Sequence, residues 1–285
     1  MPLRLRHSPS TRTGPPTAGR LAGVAATVAM AAGFALLGTG CSPSGNDDAA
    51  ASASDPIDPL AAMRWEARSA EVSPGIAGDL IAGGNGTWSC ASCHGAKGEG
   101  TEQIPALAGL PAGYIAKQLA DFATGRRKNA SMNYVARGLS EKEMAALGRF
   151  YAEMSLEAPA GASLGGDMDR GRELALRGDW RVSAPACYSC HGSSGWGVGP
   201  SFPPIAGQQP VYLYQQLTAF ATGRRDNDPE NFMHDVARVL SDADRRALAD
   251  YLASRPPRQE LTSPAGSRSE QTDATTNPAQ TEGDG

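Results

Sequence analysis

Strand signals are weak along the whole of this 285-residue chain, and aromatic side chains make up only 6% of it. With 34 glycines and 21 prolines beside so few large rings, the composition excludes a large β-rich core. It predicts short helices joined by much irregular backbone, in one or two ordinary domains. Acidic residues are missing from positions 1–40, where Arg4, Arg6, Arg12 and Arg20 supply the formal charge. That stretch reads as an export signal: basic residues, an apolar run from Leu21 to Leu37, then small residues up to Cys41.

The Leu36 to Ser42 ending resembles a bacterial lipoprotein signal, with Cys41 as the residue that would be lipid-modified, although Gly38 stands where a leucine is usual. A signal cleaved without lipidation and an uncleaved anchor are the alternatives, since the apolar run just reaches the ~17 residues that span a bilayer. Each reading places the rest of the chain in the periplasm, held at the membrane where Cys41 is lipidated or the leader stays uncleaved. Without the first forty residues the balance is 22 basic against 30 acidic, a formal −8. This makes nucleic acid a poor partner and a basic docking face on another protein a plausible one, unless the acidity serves solubility alone.

Spare cysteine is also lacking. Of five cysteines, four fall in two C-x-x-C-H motifs, Cys90, Cys93 and His94, then Cys187, Cys190 and His191; the fifth is Cys41, so none remains for a structural disulfide. Two thiols one short turn apart can add to the two vinyl groups of haem, while the next residue's imidazole reaches the iron from the same side. The motifs therefore predict two covalently attached haem c groups with His94 and His191 as axial ligands. A zinc site would need the pairs closer than 97 residues apart and would leave the histidines unexplained. A thioredoxin-like pair would need a preceding strand and a βαβ context, and neither is found.

The motifs lie in an internal repeat. Pro105-Ala-Leu-Ala-Gly109 matches Pro203-Pro-Ile-Ala-Gly207, the segment Tyr114 to Arg127 matches Tyr212 to Arg225, and Met132 to Ser140 matches Met233 to Ser241. The pattern predicts an all-α fold made by tandem duplication, with an export signal at 1–40, a flexible tether at 41–68, domains at 69–157 and 169–255, a linker at 158–168 and a disordered tail at 256–285. Within each copy, a helix from Tyr114 to Thr124 should end at a left-handed Gly125, and Ser140 with Glu143, and Ser241 with Asp244, should open a last helix as capping boxes.

Histidine is scarce enough to exclude ligands. Besides His7 there are only His94, His191 and His234, so two imidazoles on the first iron would require His234 to reach across domains. Of Met63, Met132, Met144, Met154, Met168 and Met233, only Met132 and Met233 occupy equivalent places in the two copies. They are the expected second axial ligands, with His234, an expected surface residue, the one rival to Met233. Pro105 and Pro203 are candidates for the carbonyls that orient the histidines, or else simply shape the loop. The Arg126-Arg127 and Arg224-Arg225 pairs would neutralise haem propionates or stand solvated after a helix.

With these residues in view, the chain resembles the dihaem cytochromes of the c4 type, built from two class I cytochrome c domains, over roughly residues 74 to 255. The resemblance implies two small all-α domains with haems facing one another across an interface, shuttling electrons in the periplasm. Three extra residues between Arg225 and Met233 depart from the first copy. The expected function is electron transfer without catalysis or a small-molecule substrate, between a quinol-oxidising complex or dehydrogenase and a terminal acceptor such as an oxidase. Alternatives are a haem subunit of a membrane dehydrogenase or oxidase and a dihaem peroxidase, which would need one iron with a displaceable ligand.

Overall fold

The structure, a computed structural model, describes residues 57–83, 89–157 and 161–258. The export signal, the lipidation candidate Cys41 and the tail beyond residue 258 lie outside the described residues.

Among the described residues the regular elements are helical, and β pairing is confined to two isolated bridges, Asp179 with Ala184 and Val198 with Phe202. The first lobe contains α1 (Ala61–Glu71), α2 (Ile76–Ala82), α3 (Cys90–His94), α4 (Ala112–Thr124), α5 (Ala130–Arg137) and α6 (Glu141–Ala152). The second contains α7 (Met168–Arg177), α8 (Tyr188–His191), α9 (Pro210–Ala221), α10 (Phe232–Arg238) and α11 (Asp242–Ala253). The order α3 to α6 recurs as α8 to α11, so the duplication in sequence is a duplication in structure.

Helix α4 buries Ile115, Leu119 and Phe122 at helical spacing and stops at Gly125, whose φ of +80° favours glycine. Capping boxes open α6 and α11: Ser140 accepts from the Glu143 N–H and Ser241 from that of Asp244, and both acidic side chains bond back. Each lobe has its own apolar core, built around Leu119, Leu147 and Tyr151 in the first and Leu174, Leu248 and Leu252 in the second. Burying each such side chain contributes roughly 1.5–3 kcal/mol. The helices cross at near backbone contact. A Cβ on Gly148 of α6 would lie 2.4 Å from the Ala112 carbonyl oxygen, and one on Gly171 of α7 would lie 2.2 Å from that of Ala247.

Three expected boundaries move. Helix α1 begins at Ala61 and packs on α4 and α6, so the stretch assigned to a tether at 41–68 ends in folded structure. The linker at 158–168 is tied down where it is described: the Asp250 carboxylate of α11 accepts hydrogen bonds from Leu164 N, Gly166 N and the Ser163 hydroxyl, and α7 already starts at Met168. The assigned tail begins inside the fold, because Pro257 is buried and the Pro256 carbonyl accepts a 3.0 Å bond from Trp196 Nε1. No helix among the described residues is long and apolar enough to cross a membrane.

Candidate functional site

Each C-x-x-C-H motif folds as a short helical turn, α3 or the start of α8, placing the first cysteine against the preceding helix and the second at the surface. Cys90 Sγ lies 3.7 Å from the Leu80 carbonyl and Cys187 Sγ 3.9 Å from that of Leu174, an equivalent position, while Cys93 and Cys190 are exposed. Burial raises the pKa of the Cys90 thiol and pushes that of Cys187 up to about 12.

The next residue turns inward. His94 and His191 are each 8% exposed. His94 Nδ1–H donates to the Pro105 carbonyl at 2.9 Å, and His191 Nδ1–H to the Pro203 carbonyl at 2.8 Å. Burial lowers both imidazole pKa values, and the carbonyl bond only partly opposes it. With Nδ1 committed as a donor, Nε2 keeps its lone pair free for a metal. The loop that brings each proline back is closed identically: the His94 carbonyl accepts from Gly100 N at 2.7 Å and the His191 carbonyl from Gly197 N at 2.8 Å. Gly100 and Gly197 have φ of +73° and +81°, left-handed values that a side chain would strain.

Met132 and Met233 sit at matching places on α5 and α10, each half-buried. The backbone N–H of each is capped by a side chain upstream, Met132 N by Asn129 Oδ1 at 3.0 Å and Met233 N by Asp228 Oδ2 at 2.8 Å. The three-residue insertion in the second copy is taken up by a tight turn at Pro229–Asn231, with Glu230 and Asn231 both at φ +56°. Met144 is a core residue and Met63 and Met168 are exposed. His234 is half-buried rather than on the surface: its Nδ1–H donates to the Phe220 carbonyl at 2.8 Å, the task that Asn133 Nδ2 performs on the Phe122 carbonyl at 2.6 Å. The shared task is to tie the methionine helix to the preceding long one.

The second arginine of each pair follows its helix as expected but is buried and not solvated. Arg127 and Arg225 are buried where α4 meets α9. Arg127 donates to Gln118 of its own lobe and, at 2.9 Å each, to Tyr212 and Gln216 of the other. Arg225 reciprocates, donating to Gln216 at 2.7 Å and across to Tyr114 at 3.3 Å and Gln118 at 3.2 Å. Their guanidinium groups stack over Phe122 and Phe220. Beside them, buried Lys117 bonds Asp121 at 2.6 Å and the Asn227 carbonyl at 2.8 Å. Sequence reasoning missed this crossed lock, although Tyr, Gln and Arg recur at its positions in both copies and repetition of residues unused by the haem motif was the available signal.

These residues fit haem. Two thiols one turn apart and an oriented imidazole with a free Nε2 form a donor set suited to a covalently attached iron porphyrin. Among the described residues no three His, Cys, Asp or Glu side chains converge as a group that could hold a bare metal ion.

The cytochrome c family profile matches residues 84–155 and 170–256, and the chain belongs to that family. A thiosulfate dehydrogenase electron acceptor of Thiomonas intermedia (strain K12) is 43% identical over 171 residues, covering 59% of this chain and 79% of that protein. Reduced recombinant cytochrome c4 from Pseudomonas stutzeri matches with a TM-score of 0.55 and 30% identity, over 63% of this chain and 100% of the other. The as-isolated thiosulfate dehydrogenase (TsdBA) from Marichromatium purpuratum matches with a TM-score of 0.62 and 39% identity over 65% of this chain, which spans only 40% of that longer one. Within the family this is a dihaem electron-transfer cytochrome of the c4 type, whose two domains carry two covalently attached haem c groups.

Proposed function

We propose that this cytochrome is an exported one-electron carrier that takes electrons from a thiosulfate-oxidising dehydrogenase and delivers them to a terminal acceptor such as an oxidase. The observation that carries this reading is the pairing of two identically built histidine sites in one body, set beside relatives named as electron acceptors of thiosulfate dehydrogenase. When bound, each haem supplies a one-electron Fe(III)/Fe(II) couple. Cys90, Cys93, Cys187 and Cys190 hold the porphyrins covalently. His94 with Met132, and His191 with Met233, would hold the two irons, and soft thioether ligands would favour the ferrous state. A histidine and a methionine for each iron would leave neither with an open position, which argues against peroxidase chemistry. Pro105 and Pro203 keep the imidazoles in the tautomer that presents Nε2.

The basic, apolar leader and Cys41 support export to the periplasm and a lipid anchor, which would raise the local concentration of carrier at the membrane surface. A stable haem subunit of a membrane dehydrogenase or oxidase differs from a free shuttle in copurifying with that enzyme.

The test is reduction of the ferric holoprotein by thiosulfate with and without a purified thiosulfate dehydrogenase, followed optically. Complete reduction of both haems only when the enzyme is present is expected. Reduction no faster with the enzyme than without it would reject this donor. Rapid stoichiometric carbon monoxide binding at one reduced haem would reject the carrier reading itself.

A further inference from the structure

The peptide group that orients His94 is itself held from the other lobe. Its carbonyl, on Pro105, accepts the His94 Nδ1–H bond at 2.9 Å; its N–H, on Ala106, donates to Gln208 Oε1 of the second lobe, also at 2.9 Å. Gln208 Nε2 donates back to the Ala106 carbonyl at 3.0 Å. Ala106 is 1% and Gln208 5% exposed, so water does not compete for these groups. The carboxamide is fixed in one sense, because its oxygen also accepts the Gln209 N–H at 2.9 Å, and exchanging oxygen and nitrogen would set donor against donor.

The second lobe has no such arrangement. The Pro203 carbonyl accepts from His191 at 2.8 Å, but the next residue is Pro204, which has no N–H to donate. The first-lobe counterpart of Gln208, read through the repeat, is Leu110. The relay runs one way only.

An amide whose N–H is engaged carries more negative charge on its carbonyl oxygen, and chained hydrogen bonds strengthen one another by about 10–30% per bond. A stronger acceptor at Pro105 draws the Nδ1 proton and makes Nε2 a more basic ligand, which favours ferric over ferrous iron. We propose that Gln208 is a positioning residue acting through Ala106 and Pro105 on His94, lowering the reduction potential of the first haem and making it depend on contact between the lobes. The inference rests on the reading of His94 as an axial ligand.

Two variants of the holoprotein test it. Gln208→Met removes the acceptor at similar volume. Ala106→Pro removes the donor, and Pro204 shows that this turn accommodates proline at the equivalent place. With only four histidines in the chain, ¹⁵N-histidine labelling of the reduced protein resolves the ring protons. In both variants the His94 Nδ1 proton should move upfield while that of His191 stays, and optical redox titration should show one potential raised. The partition of the first electron between haems should change roughly twofold to threefold. An unmoved His94 proton in both variants, or equal shifts of both potentials, would overturn the proposal. His94 ring resonances in the unmodified reduced protein that lack the haem ring-current shift expected of an iron-bound imidazole would overturn the ligand reading beneath it, and the relay with it.

Discussion

At the scale of single residues, the sites are set by where hydrogen bonds are already committed. His94 and His191 commit Nδ1 to a proline carbonyl, so only Nε2 remains for metal. His234 commits its Nδ1–H to the Phe220 carbonyl and so takes the place of an amide that braces the methionine helix. Replacing Met132 with Ala should lower the first haem's potential and remove half of the methionine-to-ferric-iron absorption; an unchanged spectrum would exclude Met132 as a ligand. The two equivalent histidine turns were legible because the motif recurs with its proline loop, and the equivalent placement of Met132 and Met233 on α5 and α10 because the repeat aligns them. The environment of His234 was not legible, since burial depends on a helix 14 residues away in sequence.

At the scale of elements, α4, α6 and their counterparts show apolar periodicity and capping boxes that can be read directly. Helix α1 does not: it has no side-chain N-cap, and its buried positions are Ala62 and Ser69, too small or too polar to register as a hydrophobic stripe. Elsewhere a polar clamp joins α7 to α11. Arg170 bonds Asp244 at 2.7 Å and Asp179 at 2.9 Å, with Arg181 also on Asp179 at 2.8 Å. Arg181 and Arg170 hold the Asp179 carboxyl far below the usual range; burial opposes a similar shift at Asp244, but Arg170 and Ser241 bring it below. A folded-state pKa depressed below the unfolded value of ~3.9 contributes stability that is present above that pH and lost as pH falls through the folded value. Acid titration followed by circular dichroism should therefore show stability falling below about pH 4, and less steeply in Arg170→Met. Equal slopes would mean that the clamp carries none of the acid sensitivity.

At the scale of the whole molecule, two lobes with separate cores are locked by Arg127 and Arg225, each bonding the other lobe's tyrosine and glutamine. Replacing both arginines with leucine would orphan buried acceptors at ~1–3 kcal/mol apiece. It should split one cooperative thermal transition into two, because each lobe retains its own core. A single transition in the double variant would show that the lobes are joined by other contacts, such as Gln208 on Ala106.

Sequence alone determined what is local or repeated: the haem motifs, the duplication, the helix boundaries marked by Gly125, Ser140 and Ser241, and the helical character of the described residues. Their physical basis acts within a few residues or appears twice. Tertiary structure decided what is made by residues about a hundred positions apart: the crossed arginines, the capture of residues 163–166 by Asp250, and the one-way contact from Gln208 to the peptide behind His94. A side-chain amide or guanidinium states what it can donate or accept, but only the packed lobes supply its partner.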